Sequence, residues 1–210
     1  MAIKPILFNT EMVRAILDGR KTCTRRIVKP QQLMGMLPDK CKNGAPEEFL
    51  KEKKLMFKPY CDMTDIELIN TAYKAPYQPG DTLYVRETFI QAAAHTFWYK
   101  ADDKAWMSKD LLWKPSIHMP KEAARIWLKV TDVHVERLQK ITAEDIRNEG
   151  LSSMAVHAGD MDVALKEWET LWNSTIKKSD IDRYGWGANP WVWVIEFERC
   201  EKPKEVSDDN

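Results

Sequence analysis

The feature that most constrains the fold is an alternation of apolar and polar side chains at a period of two, which is typical of β-strands with one buried face. Residues 81–87 alternate in this way. Residues 126–135 also alternate, but the phase slips at Thr131-Asp132, as a β-bulge in a long bent strand would require. Residues 191–197, Trp-Val-Trp-Val-Ile-Glu-Phe, form the most strand-like run. Further strands are predicted within residues 20–28 and 96–100.

Three helices are predicted between these strands. Thr10 is the expected N-cap of the first, which ends at Gly19. Thr142 caps a second helix that stops at Gly150, and Asp160 caps a longer third helix. One apolar face of the third helix repeats at helical spacing through Met161, Ala164, Leu165, Trp168, Leu171 and Trp172. Several strands with few helices predict an α+β protein built on a small mixed β-barrel.

The 210 residues are long enough for one domain with a large insertion. We expect a single domain over residues 1–200, with an insertion at about 31–80 and a disordered acidic tail over 201–210. The insertion has no periodicity and is rich in proline and glycine, so it is predicted as a long loop with at most one short helix at 47–55.

Composition excludes wholesale disorder, because 44% of the residues are hydrophobic and 30% are charged. No apolar run is long enough to span a membrane, and the charged residues Lys4, Glu11 and Arg14 exclude a signal peptide. The four cysteines lack metal-ligand spacing. We therefore expect a cytoplasmic protein with no membrane partner, no metal and no cofactor; the sequence does not predict an oligomeric state.

The charges are balanced overall but not along the chain. Residues 1–60 hold 13 basic and 6 acidic side chains, and residues 131–210 hold 10 and 17. Two interpretations follow: the basic part binds phosphates, or it folds against the acidic part and is neutralised.

The nine tryptophans also have two interpretations, since indole rings either fill a hydrophobic core or stack on bases. The core is favoured, and Trp172 and Trp193 are predicted to be buried.

The densest group of reactive side chains is the turn at 19–26, Gly-Arg-Lys-Thr-Cys-Thr-Arg-Arg. It lacks the glycines of a phosphate-binding P-loop. One hypothesis is a basic edge strand kept soluble by its charges. The other is a nucleotide-binding turn with a nucleophile, in which the arginines hold phosphates. The candidate phosphate-binding residues are Arg20, Arg25, Arg26 and Arg86.

Two other segments carry candidate residues. A proline-bounded loop at 113–120 presents Ser116 and His118, although a lone histidine is more often structural. Glu149 lies in the last turn of a predicted helix, where a carboxylate interacts unfavourably with the helix dipole. One hypothesis is that something other than helix stability holds it there; the alternative, which is more common, is an exposed glutamate without a role.

Four blocks of the sequence, 4–26, 80–89, 113–151 and 189–199, resemble the larger ASCH-domain proteins encoded by phages and prophages. The motifs that carry the resemblance are the Gly-x-Lys-Thr-x-Thr turn, the Gly-Asp-x-Leu-x-Val strand and the closing Val-Ile-Glu-Phe strand. The resemblance implies a PUA-like β-barrel with flanking helices, a fold that is used widely for RNA or modified bases.

The same superfamily includes small bacterial amidohydrolases that remove the acetyl group from N4-acetylcytidine with a lysine, a threonine and a glutamate. The resemblance assigns these roles to Lys21, Thr24 and Glu149. The insertion and the tryptophan-rich C-terminal helix have no counterpart in the small enzymes. A lysine can take a proton from the Thr24 hydroxyl only if its pKa is lowered, and burial beside Arg25 or Arg26 is the available cause. A close Glu149 would raise the lysine pKa instead, and a separation bridged by water would reconcile the two effects.

Two functions are consistent with these residues. The first is a metal-independent amide hydrolase acting on an N-acylated nucleoside or base such as N4-acetylcytidine. The second is a non-catalytic domain that binds RNA or modified nucleic acid, with arginines on the phosphates and a tryptophan stacked on a base. Convergence of Lys21, Thr24 and Glu149 on one pocket would favour the first.

Overall fold

The computed structural model describes residues 1–29, 70, 73–102, 111–151 and 160–203. Its strands are β1 (Ile3–Leu7), β2 (Cys23–Ile27), β3 (Thr82–Arg86), β4 (Phe89–Ala93), β5 (Thr96–Tyr99), β6 (Trp127–Arg137) and β7 (Trp191–Cys200). Its α-helices are α1 (Thr10–Leu17), α2 (Ala143–Asn148), α3 (Met161–Ser174) and α4 (Ile181–Tyr184). The predicted α+β class is confirmed.

Five strands form one mixed sheet in the order β1-β3-β6-β7-β2, and β4 pairs with β5 separately. β1 runs parallel to β3, and the other neighbours are antiparallel. Pairing between β6 and β7 shifts register between Val130 and Asp132, so the bulge predicted from the phase slip is confirmed. β1 and β2 lie at opposite ends of this sheet, and the described pairings do not close it into a barrel.

The helix caps follow from short polar side chains. Thr142 forms a capping box with Asp145, and Asp160 accepts from Val163 N at the start of α3, as predicted. At α1 the predicted cap is displaced by one residue, because Asn9 rather than Thr10 accepts from Met12 N at 2.9 Å. The short β1 was not predicted, since its sequence alternates poorly and it depends on pairing with the distant β3.

Each face of the sheet buries its own apolar cluster. One cluster contains alternate residues of β7 (Trp191, Trp193, Ile195 and Phe197) and packs against α1. The other contains Val192 and Val194 and packs under α2 and α3, with Trp168 and Trp172. Trp172 and Trp193 are both 5% exposed, so their predicted burial is confirmed. α3 is thereby held beside β2, where the candidate site lies.

Some sequence predictions lie outside the described residues. They include most of the insertion, its short helix at 47–55, and the tail from 204 onward. The single domain over 1–200 stays a prediction. Among the described helices, none combines the length and apolar character needed to cross a bilayer.

Trp193→Ala should lower the free energy of unfolding by about 3–5 kcal/mol, because it removes a buried indole from the core. Urea unfolding followed by circular dichroism measures the change. Leu112→Ala is the matched control, since Leu112 is 89% exposed and its truncation should stay within about 0.5 kcal/mol. Equal effects of the two substitutions would contradict this view of the core.

Candidate functional site

The site forms where the turn before β2 meets the end of α2. Lys21 and Glu149, 128 positions apart, form an isolated antiparallel β-bridge. Thr22 N donates to Asn148 O at 2.8 Å, and Lys21 N donates to Ala15 O at 3.0 Å. These backbone bonds tie the turn to both α1 and α2, so the side chains of Lys21 and Glu149 converge.

Gly150 permits this close approach. Its φ is +95°, which L-residues rarely adopt. A Cβ at this position would lie 2.7 Å from Ala15 Cβ and 3.1 Å from Lys21 Cβ. Glycine is therefore required both for the backbone conformation and for the packing of α2 against α1 and the turn.

The carboxylate of Glu149 is buried between two cations. Lys21 Nζ donates to Glu149 Oε2 at 2.7 Å and to the Glu149 backbone oxygen at 2.9 Å. Arg25 Nη1 donates to Oε1 at 3.3 Å. Lys21, Arg25 and Glu149 are each 3% exposed. The two cations explain why a carboxylate persists at an unfavourable helix end, as the sequence suggested.

Arg25 is held by carboxylates on three sides. Its Nε and Nη2 donate to Glu136 Oε1 at 2.9 and 2.7 Å, and Nη2 lies 3.5 Å from Asp145 Oδ2. Arg25 thus joins β2, β6 and α2. Its phosphate-binding role stays a prediction, but its guanidinium is occupied by Glu136, Asp145 and Glu149.

A cavity of about 240 Å³ opens beside this ion cluster. Thr24, which is 2% exposed, lies in its wall, and its Oγ1 accepts from Arg26 Nη1 at 3.1 Å. Arg26 also donates to Leu7 O at 3.1 Å and so links β2 to β1. The cavity is lined by the polar residues Asn9, Lys21, Thr24, Arg25, Arg26, Glu149 and Thr175 and by the apolar residues Leu7, Phe8, Met12, Trp168, Leu171 and Trp172.

Burial dominates the electrostatics of the site. It lowers the pKa of Lys21 below its usual range, and the adjacent Glu149 opposes that shift without cancelling it. Burial likewise lowers the pKa of Arg26 and raises that of the Cys23 thiol to about 12. The contact between Lys21 Nζ and Glu149 Oε2 is direct at 2.7 Å, so no water separates the two groups.

The structure brings Lys21, Thr24, Arg25, Arg26 and Glu149 to one cavity. Two other predicted residues are not among its described lining. Arg20 ties the turn together by donating to Gly150 O at 2.6 Å and to Asp18 Oδ2 at 2.9 Å. The Arg86 guanidinium donates to Ile117 O.

The apolar wall was not foreseen as part of the site. Trp168, Leu171 and Trp172 belong to the predicted apolar face of α3, and nothing in that periodicity distinguishes core from cavity. Ser116 and His118 form a short 3₁₀ turn outside the described lining.

Elsewhere, three potential metal ligands approach one another on the exposed surface at the bulge: Asp132, His134 and Glu196, with donor atoms within 4.8 Å. His134 Nδ1 lies 2.7 Å from Asp132 Oδ2. Their exposure and their mutual contact are those of ordinary surface groups.

No family model and no curated protein matches the chain. Two solved structures do. An ASCH domain from Lactobacillus crispatus JV V101 is 10% identical, with 94% of this chain and 79% of that chain covered and a TM-score of 0.38. Protein EF3133 from Enterococcus faecalis V583, a DUF984 protein, is 9% identical, with 95% and 76% covered and a TM-score of 0.41.

Gly150→Ala should destabilise the protein more than Gly19→Ala. Both glycines have positive φ, which costs an alanine about 1–2 kcal/mol. A Cβ at Gly19 meets nothing within 4 Å, whereas at Gly150 it collides with Ala15, which adds about 1–3 kcal/mol. Urea unfolding of both variants separates the two effects. Similar losses of stability would mean that close packing at Gly150 is unimportant.

Proposed function

We propose that the protein is an amide hydrolase that acts on an N-acylated nucleoside or base, such as N4-acetylcytidine. The observation that carries the proposal is a single small cavity onto which a buried lysine of lowered pKa and a buried threonine hydroxyl both open. A hydroxyl nucleophile needs a neighbouring base that can be neutral near physiological pH, and burial of Lys21 favours that form.

In the proposed reaction the Oγ1 atom of Thr24 attacks the acyl carbon, and its proton passes to neutral Lys21. The bond from the acyl carbon to nitrogen breaks, and the departing amine takes a proton from the Lys21–Glu149 pair, whose 2.7 Å contact suits proton transfer. Water then hydrolyses the acyl-threonine ester, releasing the carboxylic acid and restoring the hydroxyl.

Arg26 is placed to assist the nucleophile. Its Nη1 already donates to Thr24 Oγ1, so negative charge that develops on this oxygen meets a guanidinium at 3.1 Å. The Arg26 guanidinium also lies 5.4 Å from the Phe8 ring centre and is anchored on Leu7 O. Because these contacts exist before a ligand binds, little reorganisation is needed during attack.

The size and lining of the cavity favour a small ligand. Drug-sized ligands usually occupy about 300–1,000 Å³. The 240 Å³ here suits a base or a compact nucleoside better than a strand of nucleic acid. The apolar lining residues, which include Phe8 and the tryptophans of α3, offer a surface for a planar ring.

A second candidate function, non-catalytic binding of RNA or modified nucleic acid, is favoured by an open groove of about 640 Å³ that shares Arg26 with the cavity. Lys29, Lys74 and Tyr77 also line this groove. Cations with an aromatic ring are the groups that single strands bind to. This function predicts binding without turnover.

Purified protein should release acetate from N4-acetylcytidine, and Thr24→Ala and Lys21→Arg should each lower kcat/KM by about 10²-fold or more. Lys21→Arg keeps the charge but cannot lose a proton, and Thr24→Ser should retain partial activity because it keeps a hydroxyl. Thr22→Ala is the matched control, since Thr22 is exposed on the same turn and should be dispensable. Thermal melts test whether each variant folds.

The activity should rise with pH. The proposed base works when neutral, so kcat/KM should increase as pH rises through the lowered pKa of Lys21 and then level off. A profile measured over pH 5–10 checks this expectation. A rate that is flat with pH, or full activity in Lys21→Arg, would contradict the role of Lys21.

The two candidate functions differ in their response to salt and substitution. Absence of turnover on N-acylated nucleosides, with RNA binding that weakens as salt rises, would favour the second function. Lys29→Ala combined with Lys74→Ala should then weaken RNA binding, whereas hydrolysis of a free nucleoside should not depend on these two exposed lysines.

A further inference from the structure

The open groove of about 640 Å³ beside the cavity carries positive charge that its described lining does not match. Arg26, Lys29 and Lys74 supply the cations, and none of the described residues that line the groove has a carboxylate. The described ion pairs also involve none of these three side chains. Lys29 and Lys74 are exposed. The charged groups that an anion would meet in this described lining are therefore all positive.

The cavity differs from the groove, because two of its three cations are already paired. Lys21 contacts Glu149, and Arg25 contacts both Glu149 and Glu136. A phosphate placed among these buried ion pairs would disturb them and would lose its own hydration. The cavity thus suits the uncharged base and acyl group of a ligand, and the groove suits an anionic group on the same ligand.

Arg26 connects the two spaces. It lines both of them, and its Nη1 donates to Thr24 Oγ1, so the groove begins one side chain away from the proposed nucleophile. Lys29 lies five positions beyond Thr24, at most about 16 Å along an extended chain that rises about 3.3 Å per residue. An acylated base, its ribose and a phosphate cover this distance together with a lysine side chain, whose ammonium lies at the end of a long flexible stem.

Lys29 is also linked to the wall of the cavity. Its Nζ lies 5.5 Å from the centre of the Tyr184 ring. The Tyr184 backbone oxygen accepts from Trp172 Nε1 at 2.8 Å, and Trp172 lines the cavity. One residue therefore separates the Lys29 ammonium from a side chain of the cavity wall.

We propose that the groove is a phosphate subsite of the cavity, in which Lys29 and Lys74 bind the phosphoryl group of a nucleotide whose acylated base occupies the cavity. The inference rests on the proposed function for the identity of that base, and it narrows the substrate to a nucleoside with a phosphate on its ribose. A phosphate monoester carries a charge of about −1.5 to −2 at pH 7, and its hydrogen bonds to lysine are charge-assisted. Free nucleotides and the nucleotides of an RNA strand share this chemistry.

The kinetic test compares N4-acetylcytidine with its 5′-monophosphate and its 3′-monophosphate. The parent protein should hydrolyse one monophosphate with a kcat/KM about tenfold higher than that of the free nucleoside, because binding of the phosphate contributes to kcat/KM. Lys29→Ala combined with Lys74→Ala should reduce this preference to about threefold or less. Lys121→Ala combined with Lys140→Ala is the matched control. It removes the same charge from exposed lysines outside the described lining and should keep the preference.

The salt dependence of the parent chain tests the inference even if the double variant misfolds. The preference for the monophosphate should shrink as ionic strength rises from about 0.01 to about 0.15 M, because the Debye length falls from about 30 to about 8 Å and exposed lysines are screened. The free nucleoside is the internal reference, so effects of salt on folding cancel in the ratio. A ratio that is constant with salt would overturn the inference.

A short oligoribonucleotide with one internal N4-acetylcytidine distinguishes the two sources of the phosphate. A higher kcat/KM on the oligonucleotide than on either monophosphate would assign the subsite to an RNA strand. The reverse order would assign it to a free nucleotide. In both cases the preference over the nucleoside should depend on Lys29 and Lys74, and a preference that survives their joint substitution would overturn the inference.

The outcomes separate the inference from the proposed function. Hydrolysis of N4-acetylcytidine with no preference for a phosphorylated form would overturn the inference and leave the hydrolase intact. If nothing is hydrolysed, calorimetry with cytidine and its 5′- and 3′-monophosphates replaces the kinetics. Tighter binding of a monophosphate than of cytidine, lost in the Lys29 and Lys74 double variant, would then support the subsite and overturn the proposed catalysis. Equal binding of the three, or no binding of any, would overturn both.

Discussion

The rest of the structure depends on the buried ion pairs that the Glu149 carboxylate forms with Lys21 and Arg25. This carboxylate joins the start of β2 to the end of α2, and through Arg25 it reaches Glu136 on β6. Removing one member of such a buried group leaves another charge without a partner, which typically costs about 3–5 kcal/mol. The cluster therefore binds three elements together as well as shaping the cavity.

The same burial also sets the acid–base properties of the site. Desolvation lowers the pKa of Lys21 although an acidic partner lies 2.7 Å away, so burial favours a neutral amine in the cavity that Thr24 also lines. The group that stabilises the fold thus also supplies the proposed base. Below the lowered pKa of Lys21, the buried ammonium reduces the free energy of unfolding. This reduction disappears as pH rises from the lowered pKa toward the unfolded value of 10.5.

Local patterns predicted much of the fold. The caps at Thr142 and Asp160, the bulge near Asp132 and the burial of Trp193 follow from side-chain types and spacing. Those features need only neighbours in the chain. β1 was not predicted, because its position depends on parallel pairing with β3, almost eighty positions away, which leaves no mark on five residues.

By itself the sequence determined which reactive groups are present and that Lys21 and Thr24 share one turn entering a strand. The tertiary structure decided their environment. It placed Glu149 in direct contact with Lys21, left Arg20 and Arg86 outside the described lining, and made the tryptophan face of α3 a cavity wall. The reason is physical. Spacing sets the direction of a side chain along one element, whereas its desolvation and its pKa depend on which other elements pack against it.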